Sequence, residues 1–271
     1  MKHQKVILVI LDGLTYRVAA DMMGYLQAEC NEKKGCLYQL RCELPSISRP
    51  LYECILTGKK PVESGIVNNQ VTRLSTQKSI FHYAHEAGLK TAAAAYAWIS
   101  ELYNRTPFNP LVDRHVEDES LPIQYGHFYY EDHYPDNHLF ADAEHLRRTK
   151  QPDFLLIHPM NIDDAGHRFG KDSKAYRNSA RRADDYLSHY LPTWLEEGYQ
   201  VLVTSDHGMS DEGSHGGLDD DECLVPLFAF GNCFSLTQAS ILQTELCGTV
   251  CQLLGVPHDK PVAQQMLIDE K

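Results

Sequence analysis

The stretch Val201-Leu-Val-Thr-Ser-Asp-His-Gly-Met-Ser-Asp-Glu-Gly-Ser-His215 turns abruptly from an apolar run to Asp206, His207 and His215. A buried strand that ends in a carboxylate and an imidazole delivers metal ligands to one point. In an open α/β sheet that point is the carboxyl edge, where ligands bind. Gly208, Gly213 and Gly216 let the following loop fold back and return His215 to the same edge. Taken alone, an Asp-His pair after a strand is more often a loop hydrogen bond than a ligand set. The pattern recurs, however. The apolar run Val6–Leu11 ends in Asp12-Gly13, and Asp153-Phe-Leu-Leu-Ile157 is followed by His158-Pro-Met-Asn-Ile-Asp-Asp-Ala-Gly-His167. Asp12, Asp163, His167, Asp206, His207 and His215 are enough for two three-ligand sites, each keeping a position open for substrate as catalytic zinc does. Two such ions, about 3.5–4 Å apart, can hold the attacking and leaving oxygens of an in-line displacement at phosphorus.

A nucleophile is available in Pro45-Ser-Ile-Ser-Arg-Pro50. Pro50 suits the first turn of a helix continued by Leu51 to Leu56, which places Ser46, Ser48 and Arg49 at a helix N-terminus that favours an anion. A Ser there is commonly a cap without chemistry. Beside a metal ion, which stabilises an alkoxide at neutral pH, Ser48 becomes a nucleophile.

The elements that must position these groups read as α/β. Val6–Leu11, Cys36–Leu44, Lys90–Tyr96, Asp153–Ile157, Val201 onward and Leu224–Phe230 are expected strands. Helices are expected from Thr15 to about Ala28, over Ile80–Ala87 and Asn137–Arg148, along the periodic series Tyr176 to Trp194 with a kink or end at Pro192, and over Ile241–Leu254. Trp98 to Pro110 reads as a loop near the active edge. The aromatic and imidazole-rich segment 125–138, with His127, His133 and His138, reads as a covering loop or a pocket lining. Asp219–Glu222 lacks the donor pattern of a calcium loop and reads as a solvated turn. One domain over 1–271 with a cap inserted around 98–138 is the simplest partition.

The formal net charge of −12 argues against nucleic acid polymers and anionic membranes, whose phosphates need clustered cations. The eight cysteines show neither C-x-x-C pairs nor disulfide spacing, and several sit in apolar runs. The apolar run before Asp12 is too short for a signal or a membrane span. The cytoplasm is the expected location.

In order, Asp12-Gly13, Pro45-Ser-Ile-Ser48, Leu56-Thr-Gly58, Pro61-x-Glu-Ser-Gly65, Asp163-x-x-Gly-His167, Ser205-Asp-His-Gly208 and His215 resemble the alkaline phosphatase superfamily, and within it the nucleotide pyrophosphatase/phosphodiesterase branch. The resemblance implies a mostly parallel sheet with helices on both faces. It also implies that Asp12, Asp206 and His207 hold one zinc together with the Ser48 hydroxyl, and that Asp163, His167 and His215 hold the other. The family's nucleophilic Thr falls on Ser48, and its Asn that contacts the phosphoryl oxygen falls on Asn69. The implied course is attack by Ser48, a phosphoryl-enzyme intermediate and hydrolysis by metal-bound water, with inversion at each step.

Two departures stand out. Ser48-Arg-Pro-Leu51 replaces Thr-Phe-Pro-Asn, so Arg49 is expected to contact a second anionic group of the substrate, to support the phosphoryl site or to be a structural cation. Ile162 replaces a Pro, which leaves Asp164 as an alternative to Asp163. The leading expectation is a phosphodiesterase or nucleotide pyrophosphatase acting on a small phosphate or phosphonate ester. The alternatives are a phosphomonoesterase or phosphonate hydrolase and, in another class, a non-catalytic metal- and phosphate-binding relative. Cys42-Glu-Leu-Pro-Ser46 lacks the Cys-x-Pro-Ser-Arg order that a sulfatase nucleophile requires. Manganese or iron would suit the ligand set as well as zinc.

Overall fold

The first apolar strand sets the layers. Val6, Leu8 and Ile10 face one core with Tyr52, Phe81 and Leu254, while Ile7, Val9 and Leu11 face a second with Phe140, Ala180 and Trp194. Alternate side chains leave opposite faces of a strand, so a run apolar at every position must be covered on both sides.

The computed structural model describes residues 3–268. The chain runs β1 (Lys5–Ile10), α1 (Tyr16–Met22), α2 (Gly24–Asn31), β2 (Gly35–Arg41), α3 (Ser48–Thr57), α4 (Pro61–Ser64), α5 (Ile80–Glu86) and β3 (Thr91–Tyr96). It continues with α6 (Ala97–Tyr103), α7 (Pro110–Asp113), β4 (His115–Glu117), β5 (Tyr125–Tyr129), α8 (Asp136–Lys150), β6 (Phe154–Ile157) and α9 (Asn161–Phe169). It closes with α10 (Lys174–Glu196), β7 (Tyr199–Thr204), α11 (Asp220–Cys223), β8 (Leu224–Phe230) and α12 (Leu246–Leu254).

The strands form one sheet in the order β2-β8-β7-β1-β6-β3-β5-β4. β7, β1, β6, β3 and β5 are mutually parallel, while β8 and β4 run against their neighbours. The carboxyl ends of β1, β6 and β7 therefore lie side by side. β2 opposes β8, which opposes β7, so β2 also delivers its following segment to that edge. Among the described residues no helix is long and apolar enough to cross a membrane.

Four expectations need correction. The first helix breaks at Met23, because Asp184 of α10 accepts from the backbone N–H groups of Tyr25 and Leu26 and so starts α2 from outside. The stretch after Trp98 is helical as far as Tyr103. Within the segment around 98–138, the part expected to be a covering loop or pocket lining begins as a strand: β4 and β5 extend the sheet, as the β-favouring Tyr125-Gly-His-Phe-Tyr129 allows. Finally, of the kink or end expected at Pro192 the end is excluded, since α10 runs on to Glu196. Pro192 is solvent-exposed, so the carbonyl it leaves without a partner can meet water.

Ile10 is fully buried two residues before Asp12. Ile10→Ala is expected to lower stability by about 2–5 kcal/mol in urea denaturation, the range for truncating a core side chain.

Candidate metal and phosphoryl site

β1 and β7 bring Asp12, Asp206 and His207 together, with one ligand atom of each within 4.8 Å of the others and all three fully buried. The loop after β6 and the helix α9 bring Asp163 and His167 to His215, whose ligand atoms meet the same limit. Asp163 and His167, four residues apart, share one face of α9. Asp164 turns away to Arg168 at 3.0 Å, which resolves the alternative in favour of Asp163. His127, His133 and His138 enter neither group.

Close approach depends on glycine at two points. Gly13 has φ +72°, and a Cβ there would lie 2.7 Å from Asp163 Oδ1, so any side chain would push the two ligand groups apart. Gly213, at φ +73°, would bring a Cβ to 2.8 Å from the His167 carbonyl, while its own carbonyl accepts from His167 Nδ1 at 2.9 Å.

The donor chemistry fits divalent cations. Each carboxylate has one buried oxygen with no hydrogen-bond partner: Asp12 Oδ1, Asp163 Oδ1 and Asp206 Oδ2. Each imidazole turns Nδ1 to a backbone carbonyl, His207 to Gly208 at 2.8 Å, His215 to Ser46 at 2.8 Å and His167 to Gly213 at 2.9 Å. A carbonyl only accepts, so Nδ1 carries a proton and, whenever the ring is neutral, Nε2 keeps the lone pair that binds metal. Burial, then the charges of Asp12 and Asp163, push the Asp206 carboxyl well above its usual range, and burial and Asp12 also raise Asp163. Burial opposes the Asp12 charge too, but His158, His207 and Tyr52 outweigh it and hold that carboxyl low. Burial lowers His215 to about 4, whereas the hydrogen bond to Asp163 raises His167 to about 9. At His167 a proton thus competes for the place of a cation, and metal binding would release it.

Ser48 opens α3, and its Oγ lies 3.0 Å from His207 Nε2, beside the first ligand group. Asn69 Oδ1 accepts from the Arg49 backbone N–H at 3.0 Å, which ties the Asn69 loop to the same helix start and leaves the amide NH2 to face elsewhere. Arg49 itself is engaged within the protein. Its guanidinium pairs with Glu101 at 2.6 Å, reaches the Val71 carbonyl at 3.3 Å and lies 4.5 Å over the Trp98 ring. Of the three expectations for Arg49, these contacts favour the structural cation, through a partner on α6 that a loop reading of that stretch conceals.

Three contributors escaped the sequence reading of the site. Tyr52 and His158 both donate to Asp12 Oδ2, the latter at 3.1 Å. Glu222 accepts from the Gly217 N–H and so anchors the loop that carries His215. Tyr52 lies one helical turn beyond Ser48 and His158 directly follows β6, signals that can be read once the edge is known.

Residues 6–226 match the type I phosphodiesterase / nucleotide pyrophosphatase family. The chain belongs to that family. It is 22% identical over 251 residues to the human GPI ethanolamine phosphate transferase 2 catalytic subunit, which covers 87% of this chain and 24% of that protein. The chain thus spans about a quarter of that relative's length. Among solved structures it superposes on murine ectonucleotide pyrophosphatase / phosphodiesterase 5, in an inactive form in complex with AMP, with a TM-score of 0.75 at 16% identity over 98% of this chain and 100% of that one. Phosphonate monoester hydrolase from Silicibacter pomeroyi superposes with a TM-score of 0.68 at 13% identity, over 98% of this chain and 76% of that one. These likenesses show the alkaline phosphatase-like fold.

A carboxyl raised by folding stabilises the protein in acid and withdraws that contribution as the pH climbs through its folded value. Chelator-treated Asp206→Asn protein is therefore expected to lose less of its melting temperature above about pH 4 than chelator-treated wild type. About 1 kcal/mol of relieved repulsion would raise Tm by about 2–4 °C in a domain of this size. Coincident pH profiles of Tm for the two proteins would contradict this reading of the site.

Proposed function

We propose that this protein hydrolyses phosphodiester or pyrophosphate bonds of small molecules through a phosphorylated Ser48, with two divalent ions held by Asp12, Asp206 and His207 and by Asp163, His167 and His215. The observation that carries the proposal is the convergence, around one serine hydroxyl, of three half-satisfied carboxylates and three imidazoles whose Nε2 atoms all turn into the same cluster. Zinc suits this mixed oxygen and nitrogen set best, and manganese or iron would also fit. When bound, the ions would supply the positive charge that lowers the pKa of the hydroxyl and neutralises the phosphoryl oxygens.

The chain's own groups do the rest. The start of α3 places Ser48 Oγ where the helix dipole favours a phosphoryl anion. The Asn69 amide, tied through its Oδ1 to the Arg49 N–H at the start of α3, would donate its NH2 to a phosphoryl oxygen. Ser48 Oγ forms a bond to phosphorus as the leaving-group oxygen departs, and water then displaces Ser48 Oγ to regenerate the hydroxyl.

A second reading rests on the GPI ethanolamine phosphate transferase relatives. The same phosphorylated serine could pass its group to an alcohol instead of water. The eight free thiols support a reducing compartment as the proposed location.

With zinc-loaded protein, Ser48→Ala is expected to cut turnover of bis(p-nitrophenyl) phosphate by about 10³-fold or more, as loss of a nucleophile does. Acid-quenched wild type should show the added mass of a p-nitrophenyl phosphoryl group on the Ser48 peptide. Turnover of p-nitrophenyl phosphate that exceeds diester turnover would favour the monoesterase alternative, and a glycerol ester among the products would favour transfer.

A further inference from the structure

Four imidazoles stand at the active edge, and the partner of Nδ1 divides them. In His167, His207 and His215 it faces a carbonyl, which leaves Nε2 as an acceptor. In His158 the order is reversed. The Tyr96 backbone N–H donates to Nδ1 at 3.4 Å, so the ring proton sits on Nε2, 3.1 Å from Asp12 Oδ2. The ring is fully buried with the edge of Tyr52 against it at 4.5 Å, and its residue is fixed by the His158 N–H to the Ala94 carbonyl at 2.9 Å and by the Tyr129 hydroxyl to the His158 carbonyl at 2.8 Å.

We infer that His158 is a positioning residue whose Nε2–H, together with the Tyr52 hydroxyl, occupies Asp12 Oδ2 and so leaves Oδ1 as the single atom offered to the cation shared with Asp206 and His207. A carboxylate can bind a cation through either oxygen or through both. Two donors on Oδ2 take up its lone pairs, while Oδ1, with no hydrogen-bond partner, lies 3.5 Å from His207 Nε2 on the ligand side. Outer partners of this kind fix the orientation of a ligand, and their loss typically costs about 10–100-fold in metal affinity. His158 cannot ligate through Nε2, the nitrogen that faces Asp12, without moving its proton to Nδ1 and so giving up the Tyr96 bond and the Asp12 bond together. The inference rests on the two-ion reading of the site.

The test is zinc titration of the full chain with metal content measured, alongside histidine ¹⁵N NMR of the wild type. His158→Leu should lose about 10–100-fold in affinity at one of two zinc equivalents, with the other unchanged as an internal control. His158→Gln, which keeps an N–H donor, should recover most of that loss. The NMR should report His158 as the Nε2–H tautomer. Two equivalents bound by folded His158→Leu with wild-type affinities, or a proton on His158 Nδ1, would overturn the role of His158. Wild type that binds no divalent ion would instead overturn the two-ion reading. Should His158→Leu fail to fold, the Gln variant and the wild-type tautomer decide: a Gln variant as weak as a donor-less site contradicts the inference.

Discussion

Three carboxylates crowded into one buried edge are the constraint on which the rest of this structure depends. Ligand oxygens of Asp12 and Asp206 lie within 4.8 Å of each other, and Asp163 presses against Gly13 between them. Two like charges at that separation repel by about 3–4 kcal/mol at an effective dielectric of about 20. Taking each out of water costs several kcal/mol more. One oxygen of each is compensated by protein donors and the other is left open, an arrangement that a proton or a cation can complete.

The scaffold meets this demand with rigidity. The strands that deliver Asp12 and Asp206 are buried along almost their whole length and locked in parallel register, Val9 opposite Val203 and Ile10 opposite Thr204. Backbone carbonyls, which cannot change protonation, set the tautomers of the three ligand imidazoles. Cross-links between elements do the remaining positioning: Glu222 holds the His215 loop, and Arg49 with Glu101 binds the start of α3 to α6.

What the sequence disclosed follows a simple division. Asp12, Asp206 and His207 were legible because each directly follows an apolar run, and Asp163 with His167 because their spacing fits a helix face. Asn69 needed the family resemblance, and Ser48 needed the premise of a metal ion beside it, since a serine at a helix start is common. Contacts made across the fold left no local trace. The Asp184 cap that divides α1 from α2, the Glu101 partner of Arg49 and the His158 bond to Asp12 all join residues more than 50 positions apart. The edge strands β4 and β5 were hidden by a composition rich in His and Tyr, which marks loops and strands alike.

The strand order carries a consequence for how the molecule comes into being. β1 is synthesised early, but its neighbours in the sheet are β6 and β7, so Asp12 waits through well over a hundred residues before Asp163 and Asp206 emerge beside it. The group of Asp12, Asp206 and His207 therefore cannot form in any fragment that lacks β7. The candidate site at this edge is complete only when long-range pairing closes the middle of the sheet, a slow step in a chain of this topology. Any cation that binds the finished edge and not the open chain draws that late closure forward, and so acts on the birth of the protein as well as on its chemistry.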